Sequence, residues 1–239
     1  MGPTFGHHGL NFLELIQAAA LVCPHAGLAI IKTSEWAEKL LNFVPSAKQA
    51  EVMDSDARYL ILCCNRQWGK TTTIALKALH RALTIPDQSI VILSRSKLQA
   101  NILIERARMF AVRLGQKIRR AMGHQYSLKL DNGSQIFAVA HTTDTSVGPT
   151  ANVLIVDEAA LVKDLVYFSV SPTTARTHGD IWLMSSPRRP ADFFDNIRPA
   201  EDSRWHKIFS PVSDCPDIDP EFLAMQKRAD EMLDEMIRF

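Results

Sequence analysis

A glycine-lysine-threonine triplet, Gly69-Lys70-Thr71, is the strongest chemical signal in this chain of 239 residues. It follows an apolar run at residues 59–64 and precedes a helical pattern at residues 71–83. A buried strand, a turn and a helix in this order are typical of a loop that binds nucleotide phosphates. In such a loop the N–H groups of the helix start bind the phosphates, Lys70 reaches the β and γ phosphates, and the Thr71 hydroxyl ligates Mg²⁺.

The residues around the triplet supply further candidates. The pattern GxxxxGK[ST] has glycine where this chain has Cys64, so the match to the bare pattern is incomplete. Arg66 could sense or stabilise the γ phosphate from within the same chain, and a salt bridge to a neighbouring acid is the alternative. No specific chemistry follows for Trp68. The predicted nucleotide-binding residues of the loop are Asn65, Arg66, Gln67, Trp68, Gly69, Lys70, Thr71 and Thr72.

Two adjacent acids, Asp157 and Glu158, end a second apolar strand pattern at residues 153–156. Unpaired carboxylates are costly in a core, but at the C-terminal edge of a strand they face the ligand crevice. There Asp157 can hold Mg²⁺ through water, and Glu158 can orient the water that attacks the γ phosphate. Both motifs together predict a hydrolase. The alternative is that the acids only cap a helix and that Lys70 lies on a solvated face.

The composition is that of a soluble globular protein with one main domain. Hydrophobic residues make up 46% and charged residues 22%, and the formal net charge of +1 gives no global basic surface for nucleic acid. Residues 10–31 are apolar but contain Glu14 and Pro24, and they predict neither a membrane span nor a signal peptide. The four cysteines lack metal-binding spacing and are expected to be reduced thiols.

Alternating strand and helix patterns predict an α/β fold, a mainly parallel sheet flanked by helices on both faces as in P-loop NTPases of the ASCE type. The strand patterns lie at residues 59–64, 89–93, 153–156, 180–184 and 205–209, and a long helical pattern lies at residues 97–114. An inserted antiparallel hairpin is expected at residues 126–140, where Asp-Asn-Gly-Ser forms the turn. A helical pattern also precedes the core, with Ser34 as the expected cap before Trp36.

This set of motifs resembles the N-terminal ATPase domain of the large terminase subunit of tailed bacteriophages. The phosphate loop of that family carries a basic residue before Gly-Lys and often lacks the first glycine. The matching segments, in chain order, are Gln49 and residues 65–72, 130–136, 156–160 and 185–194. The resemblance covers about residue 44 to the C-terminus. It implies a helical N-terminal appendage (residues 1–44), a P-loop ATPase core (45–210), a C-terminal lid or linker segment (211–239) and no nuclease domain.

The resemblance also implies what the domain does. ATP hydrolysis with Mg²⁺ would drive double-stranded DNA into procapsids, and no nuclease activity is expected. Gln49 would read adenine and Ser186 would couple hydrolysis to movement, with a surface glutamine and a plain Ser-Pro turn as the alternatives. The expected catalytic residues are Glu158, Arg66 and Lys70, and Thr71 and Asp157 are expected to bind the metal. The alternatives are a helicase-type DNA-dependent ATPase and a non-catalytic nucleotide-binding assembly module.

The expected partners are double-stranded DNA, the portal protein and the small terminase subunit, in the cytoplasm of an infected bacterial host and without a membrane. On the portal the chain is expected to form a ring of identical subunits, and a monomer is an open alternative in isolation. Relatives commonly carry an arginine where this chain has Val147. A cationic group acting on a neighbouring subunit would then come from elsewhere, with Arg188 and Arg189 as candidates.

Overall fold

The computed structural model describes residues 31–65, 67–139, 150–186 and 204–211, together with positions 194, 197, 219, 221, 224, 225 and 228. The predictions for Arg66, Val147, Arg188 and Arg189, and for residues 1–30, lie outside these described residues. The helices are α1 (Thr33–Leu41), α2 (Ala47–Asp54), α3 (Lys70–Thr84), α4 (Lys97–Arg113) and α5 (Asp164–Val170). The strands are β1 (Tyr59–Cys64), β2 (Ser89–Leu93), β3 (Ile118–Arg119), β4 (Ser127–Leu130), β5 (Gln135–Val139), β6 (Val153–Asp157), β7 (Asp180–Ser185) and β8 (Trp205–Ser210).

The strands form one eight-stranded sheet in the order β3-β4-β5-β2-β6-β7-β1-β8. Strand β1 lies parallel to β7 and β8, β2 lies parallel to β5 and β6, and β6 lies parallel to β7. Antiparallel pairing joins β3 to β4 and β4 to β5. The sequence prediction of a mainly parallel α/β sheet is confirmed.

Both faces of the sheet are buried. Successive residues of a strand point to opposite sides of the sheet, so a single strand contributes side chains to both faces. On β1, Leu60 and Leu62 pack with helices α1 to α4, whereas Ile61 packs with Val166 and Tyr167 of α5 on the other face. This double burial explains why β1 is apolar at nearly every position rather than alternating. The sheet is therefore held between two helical layers, and the strand ends are fixed in place.

Helices α1 and α2 pack on the same face as α3. Trp36 of α1 is fully buried and lies in the same apolar cluster as Leu60. The prediction that Ser34 caps this helix is wrong, because the helix begins at Thr33 with Lys32 as the preceding residue. Ser34 instead donates through its backbone N–H and its hydroxyl to the Asp54 carboxylate, at 2.9 and 2.6 Å. A charged acceptor binds this hydroxyl more strongly than a backbone group of the helix start would.

The domain boundary at residue 44 stays a prediction.

The expected hairpin is present as the antiparallel pair of β4 and β5. Strand β5 also pairs in parallel with β2, from Ser89 opposite Gln135 to Leu93 opposite Val139. The hairpin is thus a continuation of the main sheet rather than a separate insertion, because β2 needs a hydrogen-bonded neighbour on each side. Sequence patterns missed strand β3, whose two residues carry too short a pattern.

Cys63 and Cys64 are buried at the end of β1, and the expectation that the cysteines are reduced stays a prediction. Among the described helices, none is both long enough and apolar enough to cross a membrane.

Candidate active site

Four parallel strands end side by side at one edge of the sheet, here called the carboxyl edge. In sheet order they are β2, β6, β7 and β1. Strand β6 ends at Asp157, β7 at Ser185 and β1 at Cys64. The strand β7 therefore lies between the strand that leads to the phosphate loop and the strand that carries the acids. Ligands of open α/β sheets bind in the crevice at this edge.

The loop after β1 turns into helix α3 at Gly69. Gly69 has φ +91°, and a Cβ atom at this position would lie 2.9 Å from Nε2 of Gln49. A side chain is therefore disfavoured both by the backbone conformation and by the available space. Among the described residues, no side chain caps the start of this 15-residue helix. The first-turn N–H groups of Lys70, Thr71 and Thr72 are thus available to an anion such as a phosphate.

Two contacts hold the loop in place from opposite sides. Trp68 is buried in the core, and its Nε1–H donates to Oγ of Ser210 at the end of β8, at 2.7 Å. The amide of Gln49 donates to the backbone carbonyl of Trp68 at 3.0 Å, while its Oε1 accepts from the backbone N–H of Ser46 in a capping box at the start of α2. The tryptophan is therefore an anchor of the loop within the core, and Gln49 connects α2 to the loop.

Lys70 is bonded to three neutral acceptors. Its ammonium donates to the backbone carbonyls of Cys64 and Asn65 and to Oγ of Ser186, each at 3.0 Å. An ammonium binds an anionic phosphate oxygen more strongly than a neutral oxygen, so an incoming phosphate can replace these bonds. Because Ser186 follows β7, this contact joins the phosphate loop to the strand between the loop and the acids.

The first acid of the pair, Asp157, is buried in an environment that disfavours its negative charge. Burial, with a smaller contribution from the neighbouring Glu158 carboxylate, raises the pKa of Asp157 to about 6. Glu158 itself has φ 49° and ψ 49°, a left-handed conformation that is rare for a residue with a side chain. Its Oε2 atom is shielded from solvent and has no hydrogen-bond partner among the residues that the structure describes. Strained backbone and an unsatisfied buried carboxylate oxygen are both features that cluster at functional sites.

A cavity of about 490 Å³ opens between the phosphate loop and Glu158. On the loop side it is lined by the start of α3 and on the acid side by Glu158 and Leu161. The third side of the cavity is formed by Arg95, Gln99 and Arg106, which were not predicted from the sequence. These residues come from the loop after β2 and from α4. The signal that could have found them is position, since Arg95 stands just after the C-terminal end of a parallel strand beside β6.

The structure brings most of the predicted site residues together. Six of them line the cavity, namely Gln67, Gly69, Lys70, Thr71, Thr72 and Glu158. Three others reach the loop through contacts, because the Asn65 carbonyl and Ser186 accept from Lys70 and Gln49 donates to the Trp68 carbonyl. Asp157 ends the strand beside Glu158, and Trp68 lies in the core behind the loop. The individual roles assigned to these residues stay predictions.

Residues 62–205 match the family model for the large terminase subunit, T4likevirus-type, N-terminal. This match covers more than half of the chain. The chain belongs to this family. The resemblance seen in the sequence motifs is therefore confirmed for the N-terminal, phosphate-loop part of large terminases. A search of curated protein sequences gave no match.

Solved structures of large terminases share the fold of this terminase chain. The ATPase domain of the large terminase from Thermus phage P74-26 superposes with a TM-score of 0.70 at 18% identity, over 83% of this chain and 93% of that domain. The large terminase of a thermophilic bacteriophage gives 0.65 at 14% identity, over 77% of this chain and 50% of that one. The large terminase of bacteriophage HK97 superposes with a TM-score of 0.62 at 18% identity, over 79% of this chain and 44% of that one. The chain thus spans about half the length of the longer terminases.

Proposed function

We propose that this terminase domain binds ATP with Mg²⁺ at the carboxyl edge and hydrolyses it to drive double-stranded DNA into procapsids. The observation that carries the proposal is the cavity lined by Lys70 and Thr71 on the side of the phosphate loop and by Glu158 on the side of the acids. A related large terminase from a thermophilic bacteriophage was solved in complex with ATP-γ-S and also with ADP. Membership in the terminase family supports the link to DNA packaging.

The residues of the site divide the reaction among them. The first-turn N–H groups of α3 and the Lys70 ammonium hold the phosphates and balance the negative charge on the γ-phosphoryl group. Glu158 accepts a hydrogen bond from the attacking water and receives its proton. The contact between Lys70 and Ser186 changes when a phosphate takes the ammonium, so the end of β7 senses whether the site is loaded. This is the proposed route from hydrolysis to movement.

The residues present fit a magnesium ion. Asp157 ends β6, and the Thr71 hydroxyl lines the cavity in the first turn of α3. The described residues contain no group of three or more His, Cys, Asp or Glu side chains that could hold a metal alone. One hydroxyl and one carboxylate, completed by phosphates and water, are what Mg²⁺ uses in such sites. When bound, the ion would neutralise charge on the β and γ phosphates.

We further propose the wider setting from the family. The expected partners are double-stranded DNA, the portal protein and the small terminase subunit, with ring assembly on the portal in the cytoplasm of the infected host. Gln49 is proposed to contact adenine. Its amide group has a second N–H and a second lone pair beyond those used on Trp68 and Ser46. No nuclease activity is proposed for this chain.

Hydrolysis of Mg-ATP by the purified chain tests the proposal. The parent should release phosphate, and Lys70→Ala should lose both nucleotide affinity and turnover, because the ammonium contacts the β and γ phosphates. Lys117→Ala is the matched control, since Lys117 is exposed and does not line the cavity. Phosphate release should rise when linear DNA and portal protein are added. A parent chain that binds no ATP by calorimetry overturns the proposed function.

A further inference from the structure

Gln99 carries an acceptor oxygen without a donor in the same cavity as Glu158. Seven buried side-chain atoms lack a hydrogen-bond partner in the described part of the chain. Among them, two are oxygens that can only accept, Oε2 of Glu158 and Oε1 of Gln99. Both of these residues line the cavity at the phosphate loop. A dry acceptor without a donor is costly, so a ligand that brings O–H groups to both would be favoured.

The position of Gln99 in its helix is well defined. Gln99 lies in the first turn of α4, where its backbone N–H donates to the N-cap hydroxyl of Ser96 at 3.2 Å. The next residue, Ala100, is fully buried. The backbone of Gln99 is thus fixed by the cap and by packing, while its side chain extends to the cavity. A rotation about its terminal bonds would present the oxygen to a ligand there.

We propose that Gln99 is a second catalytic residue that, with Glu158, holds the attacking water. This inference rests on the proposed function. One O–H of the water donates to Glu158 and the other donates to Oε1 of Gln99, which directs the oxygen lone pair at the γ phosphorus. A bond forms from the water oxygen to the γ phosphorus, and the bond from that phosphorus to the β–γ bridging oxygen breaks. The electron pair of the broken bond stays on ADP, the proton goes to Glu158, and inorganic phosphate leaves.

Gln99→Met removes the amide and keeps the length of the side chain. Turnover should fall about tenfold, the equivalent of one hydrogen bond lost in the transition state. The affinity for ATP should stay within about twofold, and the protein should be at least as stable, because an unsatisfied buried acceptor is removed. Gln116→Met is the matched control, since Gln116 is exposed just beyond the end of α4. Turnover of Gln99→Met within about twofold of the parent overturns the inference.

A double variant separates this role from a structural one. Glu158→Gln already disrupts the held water, so adding Gln99→Met should lower turnover by much less than tenfold, because the two residues act as a unit. Multiplicative effects would show that Gln99 acts elsewhere and would overturn the inference. The failures are distinguishable, because a parent chain without any hydrolysis overturns the proposed function itself. A hydrolysing parent with an indifferent Gln99 overturns this inference alone.

Arg95 supports a second inference from an independent observation. The register of β2 and β6 pairs Leu93 with Val156, and two residues further along come Arg95, in the loop after β2, and Glu158, just after the end of β6. Arg95 lines the cavity, is exposed, and forms no hydrogen bond or ion pair with the rest of the described chain. With Lys70 and Arg106, it gives the cavity three cations against the single carboxylate of Glu158. We infer that Arg95 contacts the γ phosphate from within the same subunit.

Comparing ATP with ADP tests Arg95, since ADP lacks the group that it would contact. Arg95→Ala should weaken ATP about tenfold and ADP by less than about twofold, and Arg95→Lys should restore part of the difference. Arg176→Ala is the control for losing an exposed arginine. Equal weakening of both nucleotides, or no weakening, overturns the inference. Mixing Arg95→Ala with Glu158→Gln chains should not restore turnover, whereas restored turnover would show that Arg95 acts on a neighbouring subunit.

Discussion

The two edges of the sheet both hold charged groups at a cavity, and they differ in whether those groups have partners. At the carboxyl edge, a cavity of about 490 Å³ is lined by Glu158, whose Oε2 has no donor within the described part of the chain. At the opposite edge, where β7 begins with Asp180, a cavity of about 460 Å³ is lined by Lys77, Arg81 and Asp54. This second cavity is called the amino-edge cavity below.

The two cations Lys77 and Arg81 of the amino-edge cavity have partners within the chain. The Lys77 ammonium donates to the carbonyls of Met53 and Ser55, at 3.1 and 2.5 Å, and lies over the ring of Trp182. Arg81 approaches the Asp180 carboxylate at 3.8 Å. The two cavities have similar volumes, but this does not imply that they have the same role. Partnered charges indicate a structural role, whereas a buried charge without a partner indicates a place prepared for a ligand.

The strongest change is predicted for catalysis at the carboxyl edge. Glu158→Gln keeps the shape of the side chain but removes the base, so turnover should fall by about two orders of magnitude or more while ATP still binds. The same change at the other edge, Asp180→Asn, should leave turnover within about twofold. Phosphate release and nucleotide titration measure both. Hydrolysis at the parent rate by Glu158→Gln would remove Glu158 from the mechanism.

The next effect is on stability, through Asp157. Burial raises its pKa from the ordinary 3.8 to about 6, so the native state keeps the proton at pH values where the unfolded chain has lost it. Stability therefore falls as pH rises between these values, and the full cost is present at neutral pH. Asp157→Asn should stabilise the metal-free protein by roughly 1–3 kcal/mol at pH 7.5 and by less at pH 4.5. Denaturant unfolding at both values measures this, and an equal gain at both would contradict it.

Lys77 should show the opposite slope with pH. Burial lowers its pKa from the ordinary 10.5 to about 8, so between these values the unfolded chain binds more protons than the native state. The contribution of this charge to stability then rises with pH. The stability of the parent relative to Lys77→Met should increase by about 1–2 kcal/mol from pH 7.5 to 9.5. A stability difference that is the same at both pH values would show that Lys77 is not desolvated. Turnover of Lys77→Met at pH 7.5 should stay near the parent value.

The weakest change is predicted for a partnered group that supports the carboxyl edge, the Trp68 indole. Trp68→Phe and Ser210→Ala each break the buried bond of 2.7 Å, and each should cost about 1 kcal/mol of unfolding free energy. If the bond is the shared cause, the double variant should lose less than the sum of the two single losses. Strict additivity in denaturant unfolding would show that the two side chains stabilise the fold separately.

The fold class and the two central motifs can be predicted from the amino-acid sequence alone. Strand β2 was predicted at residues 89–93 and lies there, because a strand buried on both faces is a continuous apolar run with turn residues at its ends. The phosphate loop and the pair Asp157 and Glu158 were readable for a related reason. Their chemistry depends on neighbours in the chain, a strand end followed by a helix start or by acids.

The distant residues that join these motifs are set by contacts between strands in the folded chain. Arg95 and Gln99 reach the cavity because β2 pairs with β6, a contact between segments about sixty residues apart that leaves no local pattern. In the same way, the sequence predicted no role for Trp68, because its hydrogen-bond acceptor in the core is Ser210 on β8, which is distant in the chain. Local order in the chain sets strands, helices and loops. The pairing of strands across the sheet sets which side chains share a cavity, because that pairing depends on the burial of whole faces rather than on any short segment.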